Sequence, residues 1–166
     1  AEFVSLFESG DTRKGDYVGL NAAANPFYFS LKYEVSPTGP NDGGSDHIVI
    51  RYADVLLKYA EALNASGSSN AEQYLNLVRS RAGLANTTAT TQPELSAAIE
   101  MERRFEFIGE GHRWFDLKRT GEAIQRMNAW FTLNGKNVTI NADNLVLPIP
   151  QNQRDSDPAI SQNQGY

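Results

Sequence analysis

The 166-residue chain contains no cysteine, which excludes a disulfide framework, a thiolate nucleophile and any cysteine zinc site. Long apolar runs are missing too, since no stretch approaches the roughly 20 residues of a membrane-spanning helix. Nor is there a surplus of positive charge. With a formal net charge of -5 and a pI near 5.0, and with basic residues interleaved among acids, the chain lacks the clustered cations on which nucleic-acid binding rests. No nucleic-acid partner is expected. The opening residues Ala1-Glu2-Phe3-Val4-Ser5 have neither the charged nor the apolar region of a secretory signal. On sequence alone, either the protein is cytoplasmic or its N-terminus has been lost. Histidine is scarce: His47 and His112 are the two present, and neither sits in a pattern that aims two ring nitrogens at one metal. No metal or cofactor is expected. The cluster Asn41, Asp42, Ser45 and Asp46 offers hard oxygen atoms, but its spacing misses an EF-hand loop, so calcium there stays a secondary reading.

What is present suits one folded domain. Apolar residues at 40% and charged residues at 21% lie outside the composition of disordered chains, and the length is enough to bury a core. Residues 1–49 are rich in Gly, Pro, Asn and Asp around short aromatic runs, and read as loops with one or two short strands. From about residue 50 to 65, Arg51, Asp54, Lys58 and Glu61 recur at helical spacing among apolar residues. Asp54 with Lys58, and Arg51 with Asp54, read as a solvated ion-pair stripe. After Ser66-Gly67-Ser68-Ser69 a second helix begins near Asn70, with Gly83 placed to stop it. The pair forms a TPR-like helical hairpin. Thr91-Gln92-Pro93-Glu94 is a capping box opening a helix that runs to about 108 or 109. A short helical turn follows with Trp114, Phe115 and Leu117, then a helix with Ala123, Ile124, Met127 and Trp130, both placing aromatics on core faces. Asn134-Gly135, flanked by Phe131-Thr132-Leu133 and Val138-Thr139-Ile140, predicts a small C-terminal β-hairpin. Leu145 to Pro150 should run extended. The fold class is therefore mainly α, with a TPR-like helical hairpin, further helices, a small C-terminal β-hairpin and long loops.

Several strings resemble one family. They are Ile50-Arg51-Tyr52-Ala53-Asp54-Val55-Leu56-Leu57 with Tyr59-Ala60-Glu61-Ala62-Leu63-Asn64, then Val78-Arg79-Ser80-Arg81-Ala82-Gly83-Leu84, then Ile99-Glu100-Met101-Glu102-Arg103-Arg104-Phe105-Glu106-Phe107. Next come Glu110-Gly111-His112-Arg113-Trp114-Phe115-Asp116-Leu117-Lys118-Arg119 and, at the close, Leu147-Pro148-Ile149-Pro150 with Ser161-Gln162-Asn163-Gln164-Gly165-Tyr166. In this order and spacing they resemble the C-terminal portion of SusD/RagB-like outer-membrane nutrient-binding lipoproteins, with Gln164 standing where that family carries proline. Residues 1–47 match loosely, chiefly at Asp11-Thr12-Arg13 and Lys32-Tyr33. The resemblance divides the chain into a loop-rich segment, 1–49, truncated on its N-terminal side, and a SusD/RagB-like region, 50–166, ending at the natural C-terminus. It implies a parent protein on the cell-surface side of a Bacteroidetes outer membrane, held by a lipid anchor missing here. That parent would present oligosaccharide or another nutrient to a SusC-like TonB-dependent transporter.

Two other readings remain beside this one. Glu102, Glu106 and Glu110 could serve as glycosidase carboxylates, which work in pairs about 5 to 9.5 Å apart. Alternatively, the hairpin could be an independent TPR-like protein-interaction module. Against the first, Leu95, Ile99, Glu102 and Glu106 lie on one helical line, so the acids continue an apolar stripe and need cationic partners. Glu102, Arg103, Glu106, Glu110, Arg113, Asp116 and Arg119 are therefore expected to form a structural ion network, with no catalytic residue among them. Ligand residues cannot be carried over from the resemblance. Tyr17, Phe27, Tyr28 and Tyr33 are better candidates for sugar platforms than the helical aromatics, and recognition should rest mainly on loops outside the chain, with residues 10–46 contributing.

Overall fold

Helix α3 exists because residues 52–65 contain neither glycine nor proline and place Leu56, Leu57, Ala60 and Asn64 on one buried face. The computed structural model describes residues 2–24, 26–33, 37–40 and 42–166. It divides into two compact units, Ala1–Gly111 and His112–Tyr166. The first holds α1 (Glu2–Ser5), α2 (Arg13–Tyr17), β1 (Val18–Asn21), β2 (Phe27–Ser30), β3 (Pro37–Gly39), β4 (Asp42–Gly43), α3 (Tyr52–Ala65), α4 (Ala71–Arg81) and α5 (Gln92–Glu106). The second holds α6 (His112–Arg119), α7 (Ala123–Leu133), a 3-10 turn (Asp143–Leu145) and α8 (Gln151–Ser156). This division by compactness differs from the composition boundary after residue 49, because the loop-rich segment is tied into the helices that follow it.

In the first unit α3 and α4 form the hairpin, and α5 packs against both. The shared core comprises Leu56, Leu57 and Ala60 of α3, Ala71, Leu75 and Val78 of α4, and Leu95, Ile99 and Phe107 from α5 and its end. Ala60 and Ala71 are small enough to let the helices close. Burying a side chain such as Leu57 or Leu75 contributes about 1.5–3 kcal/mol. The start of α5 is fixed by its capping box: the Glu94 N–H donates to Thr91 Oγ1 at 3.4 Å, and Glu94 Oε2 accepts from the Thr90 and Thr91 N–H groups, both at 3.0 Å. Those backbone donors hold the Glu94 carboxyl at about 2. Asn64 ties the end of α3 to the start of α5, donating to Gln92 O at 3.0 Å and Ser96 Oγ at 2.7 Å. A second apolar cluster joins Phe3, Phe7 and Phe105, with ring centroids 4.5 to 5.5 Å apart.

Residues 1–49 carry more structure than loops with one or two strands, since α1 and α2 precede two small antiparallel pairs, β1–β2 and β3–β4. In β1–β2 the register sets Gly19 opposite Phe29 and Asn21 opposite Phe27. Of the short aromatic run Lys32-Tyr33-Glu34-Val35 and the residues that follow it, Glu34, Val35, Ser36 and Asn41 lie outside the described residues.

The tail corrects the sequence reading. No β-hairpin forms around Asn134-Gly135; α7 runs through Leu133, and Asn134 is its C-cap. Gly135 adopts φ +62, its N–H donates to Thr132 O at 3.1 Å, and the Lys136 N–H donates to Phe131 O at 2.8 Å. These are the two bonds of a Schellman helix end. The positive φ that would suit a hairpin turn suits a helix stop equally well. The presumed return strand is claimed by the helix instead, because the Asn128 side-chain amide donates to Ile140 O at 2.9 Å and accepts from Ile140 N–H at 2.8 Å. Beyond it, side-chain amides also hold the extended run: Gln162 exchanges hydrogen bonds with both backbone groups of Ile149 at 2.8 and 3.0 Å, and Asn163 donates to Leu147 O at 2.7 Å. The aromatic assignments need correction as well. Phe115 is 68% exposed and Trp130 46%, while Trp114 is half-buried. On α6 the buried residues are Asp116 and Leu117, so Phe115 falls off that face, and along α7 burial declines from Ala123 through Met127 to Trp130.

Candidate functional site

The acids of α5 continue its apolar stripe inward: Glu102 and Glu106 are at most 1% exposed. Their charge is met from distant parts of the first unit. Arg13, itself 1% exposed, grips Asp11 as a fork, Nε donating to Oδ1 at 2.9 Å and NH2 to Oδ2 at 2.8 Å. Its remaining nitrogen, NH1, bridges Glu102 at 2.6 Å and Glu106 at 3.1 Å. Two like charges one helical turn apart are thus joined by one guanidinium.

Three arginines converge on Glu106: beside Arg13, Arg51 NH1 donates at 2.5 Å, and Arg81 NH2 donates to both oxygens at 2.6 and 2.7 Å. Arg51 also forks Glu110, with Nε and NH2 both at 2.9 Å. Lys32 Nζ donates to Glu110 Oε1 and to the Glu106 carbonyl, and stands 4.0 Å from the centre of the Tyr17 ring. Arg79 links Glu102 at 3.3 Å to Glu8 at 2.7 Å. Five carboxylates, of Glu8, Asp11, Glu102, Glu106 and Glu110, therefore face five cations, of Arg13, Lys32, Arg51, Arg79 and Arg81. Charge balance of this kind is what makes burial tolerable.

The titration behaviour follows the geometry. Burial disfavours charge on Arg13, yet Asp11 and Glu102 outweigh it and hold the guanidinium above its ordinary value. Burial pushes the Glu102 carboxyl up, with Arg13 and Arg79 pulling it back. Burial also raises Glu110, but donation from Arg51 and Lys32 prevails and leaves it below the usual carboxylate value. The Lys32 ammonium is lowered by burial despite Glu110.

The residues singled out from sequence divide among three places. Glu102, Glu106 and Glu110 meet in the cluster just described. Arg103 instead donates to the buried Asp54 at 3.0 Å, and its guanidinium lies 4.9 Å from the Phe107 ring centre. Asp116 pairs with Arg119 at 2.9 Å in the second unit, where Arg113 occupies the first turn of α6, half-buried. The stripe on α3 also differs from expectation: Arg51 is the extended N-cap residue of α3, with φ -140 and ψ 163, and this releases it towards Glu106 and Glu110. Asp54 keeps Lys58 at 2.7 Å but is buried. Sequence reasoning missed Arg13, Lys32, Arg79 and Arg81 as partners. The available signal was their presence in other strings of the same resemblance: Asp11-Thr12-Arg13, Lys32-Tyr33 and Val78 to Leu84.

A cleft of about 480 Å³ opens on this unit, lined by Tyr33, Gly43, Ser45, His47 and Gly109. The Tyr33 and His47 rings are near-parallel, 21° apart in plane with centroids at 6.3 Å. The Tyr33 hydroxyl is shut off from solvent with no hydrogen-bond partner among the described residues. Gly109 has φ +78, and a Cβ there would meet the Ser30 side chain, its Cβ at 3.0 Å and its Oγ closer still. Only glycine fits. Of the other candidate platforms, Tyr17 is engaged by Lys32 and by Arg81, whose NH2 lies 3.2 Å from the phenol oxygen. Phe27 and Tyr28 are exposed on β2. Phe29 folds back over Gly19, where an added Cβ would come within 2.5 Å of the ring.

A sequence model of the SusD family matches residues 12–166. The chain is 35% identical over 162 residues to SusD-like protein P2 of Formosa agariphila, covering 87% of this chain and 31% of that protein. Among solved structures it is similar to surface glycan-binding protein A from Bacteroides uniformis, at 28% identity and TM-score 0.77, covering 98% of this chain and 40% of that one. It is similar also to surface glycan-binding protein A from Bacteroides thetaiotaomicron in complex with laminarihexaose, at 27% identity and TM-score 0.78, with 98% and 40% covered. The chain spans about a third of the length of the curated relatives it matches.

Proposed function

Given that this chain belongs to the SusD family, we propose that it is the C-terminal part of a cell-surface glycan-binding protein that hands oligosaccharide to a TonB-dependent outer-membrane transporter. The supporting observation is the fold it shares with two surface glycan-binding proteins over nearly its whole length, one of them in complex with laminarihexaose. Its place within a longer protein is supported by the share of its relatives that it spans and by α3. There Tyr52, Val55 and Tyr59 leave an exposed apolar stripe of the kind a helix buries against further segments.

Binding without turnover is the reading favoured by the glutamates. A glycosidase needs one carboxyl free to donate a proton and a second open to the sugar. Glu102 has the raised proton affinity of a general acid, but it is buried and accepts from two guanidiniums. Glu106 is occupied on both oxygens by arginine. The chemistry of the cluster is cohesion.

The test is isolation of the longer protein from the outer membrane. Co-purification with a TonB-dependent transporter, and retention of the pair on an oligosaccharide matrix, is the expected result. A protein that leaves the membrane alone and passes through every glycan matrix would overturn the reading.

A further inference from the structure

We propose that the Tyr33–His47 cleft is a saccharide subsite for one or two units of a neutral oligosaccharide. This rests on the glycan-binding reading and adds to it a location within this chain. The cleft, about 480 Å³, lies within the roughly 300–1,000 Å³ of small-molecule sites. Its wall carries the two kinds of contact a pyranose ring needs. The near-parallel Tyr33 and His47 rings offer aromatic surface for the apolar C–H face of a sugar, and Ser45, with the backbone of Gly43 and Gly109, offers hydrogen-bonding groups for its hydroxyls.

Among the described residues, none that lines the cleft carries a permanent charge, which favours a neutral sugar over a uronate or an amino sugar. Yet two of the cleft's residues are anchored by charged neighbours in the chain. Lys32, adjacent to Tyr33, and Glu110, adjacent to Gly109, bond to each other, and Arg51 grips Glu110 with two nitrogens. Tyr33 and Gly109 are thereby tied to one another before a ligand arrives, which lowers the ordering cost of binding.

The chain is titrated calorimetrically with laminarihexaose, maltohexaose, xylohexaose and an oligogalacturonate, alongside the variants Tyr33→Ala, His47→Ala and Ser45→Ala and the control Phe115→Ala. Circular dichroism melting checks that each variant folds; His47 is exposed, so its replacement leaves the fold intact even where that of Tyr33 does not. The expected result is millimolar binding of at least one neutral hexaose, weakened about tenfold in H47A and Y33A, as loss of about 1.4 kcal/mol of ring contact gives, and unchanged in F115A. If a hexaose binds and H47A, Y33A and S45A all keep wild-type affinity, the subsite is overturned while the glycan-binding reading stands. Preference for the oligogalacturonate overturns the neutral class. If no oligosaccharide binds the chain, the subsite is overturned, and the glycan-binding reading is then decided separately by retention of the membrane-isolated protein.

Discussion

Arg13 serves three carboxylates at once, so its removal strands Asp11, Glu102 and Glu106 in a buried setting. Breaking a buried pair from one side costs about 3–5 kcal/mol. Arg13→Ala is therefore expected to lower stability by about that amount in urea denaturation, and Arg13→Lys to recover little of it, because an ammonium cannot fork Asp11 while bridging two glutamates. Glu102→Ala and Glu106→Ala should destabilise in the same way, and wild-type melting in both would remove the ion cluster as a source of stability. Acid should reveal the same groups. Glu110 and Asp54 have lowered values in the folded chain, so their contribution is complete above the ordinary values of 4.5 and 3.8 and is lost as pH falls through the lowered ones. Glu102, raised by burial, acts with the opposite sign and gains stability as pH falls through its folded value. The melting temperature should thus hold or rise slightly on mild acidification and drop below pH 4.5. Glu110→Gln should show a lower plateau and a shallower acid limb; an acid limb as steep as wild type would contradict the assignment. The acids were legible in the sequence because they extend the stripe of Leu95 and Ile99. Their partners were not, since Arg13 lies 89 and 93 residues from the two glutamates it bridges, and helical spacing carries no information at that range.

Elements whose ends are set by local chemistry were the most legible. The capping box at Thr91 and Glu94 marks the start of α5 without reference to the rest of the fold, and Thr91→Ala is expected to cost about 1 kcal/mol in chemical denaturation. Asn134-Gly135 shows the limit of such signals. Its preference for positive φ is local, but whether it turns a hairpin or ends a helix is decided by Asn128 taking both backbone groups of Ile140. Gly135→Ala should destabilise by about 1–2 kcal/mol through the left-handed conformation. Asn128→Ala should raise hydrogen exchange at the Ile140 amide while leaving α7 protected, and simultaneous loss of protection through α7 would show that the segment holds the helix rather than the reverse. The exposed aromatics were misjudged at this scale for a related reason. Helical periodicity identifies a face, and it cannot say whether that face is covered along its whole length.

For the whole molecule, the mainly helical class and the TPR-like hairpin followed from patterning, and family-like strings foretold the membership that the comparisons show. The cleft was not legible, because Tyr33, Ser45 and His47 lie far along the chain from Gly109 and are brought to it only by the tertiary fold. The central claim joins the proposed saccharide subsite to the ion cluster, whose buried glutamates hold the fold instead of cutting sugar. Proton NMR of a neutral hexaose panel incubated with the chain tests both halves in one experiment. The expected spectra show saturation transferred from protein to at least one hexaose while the reducing-end anomeric signals stay constant over a day. Growing reducing-end signals would contradict the structural role of the glutamates, and the absence of transfer to any hexaose would contradict a saccharide subsite in this chain.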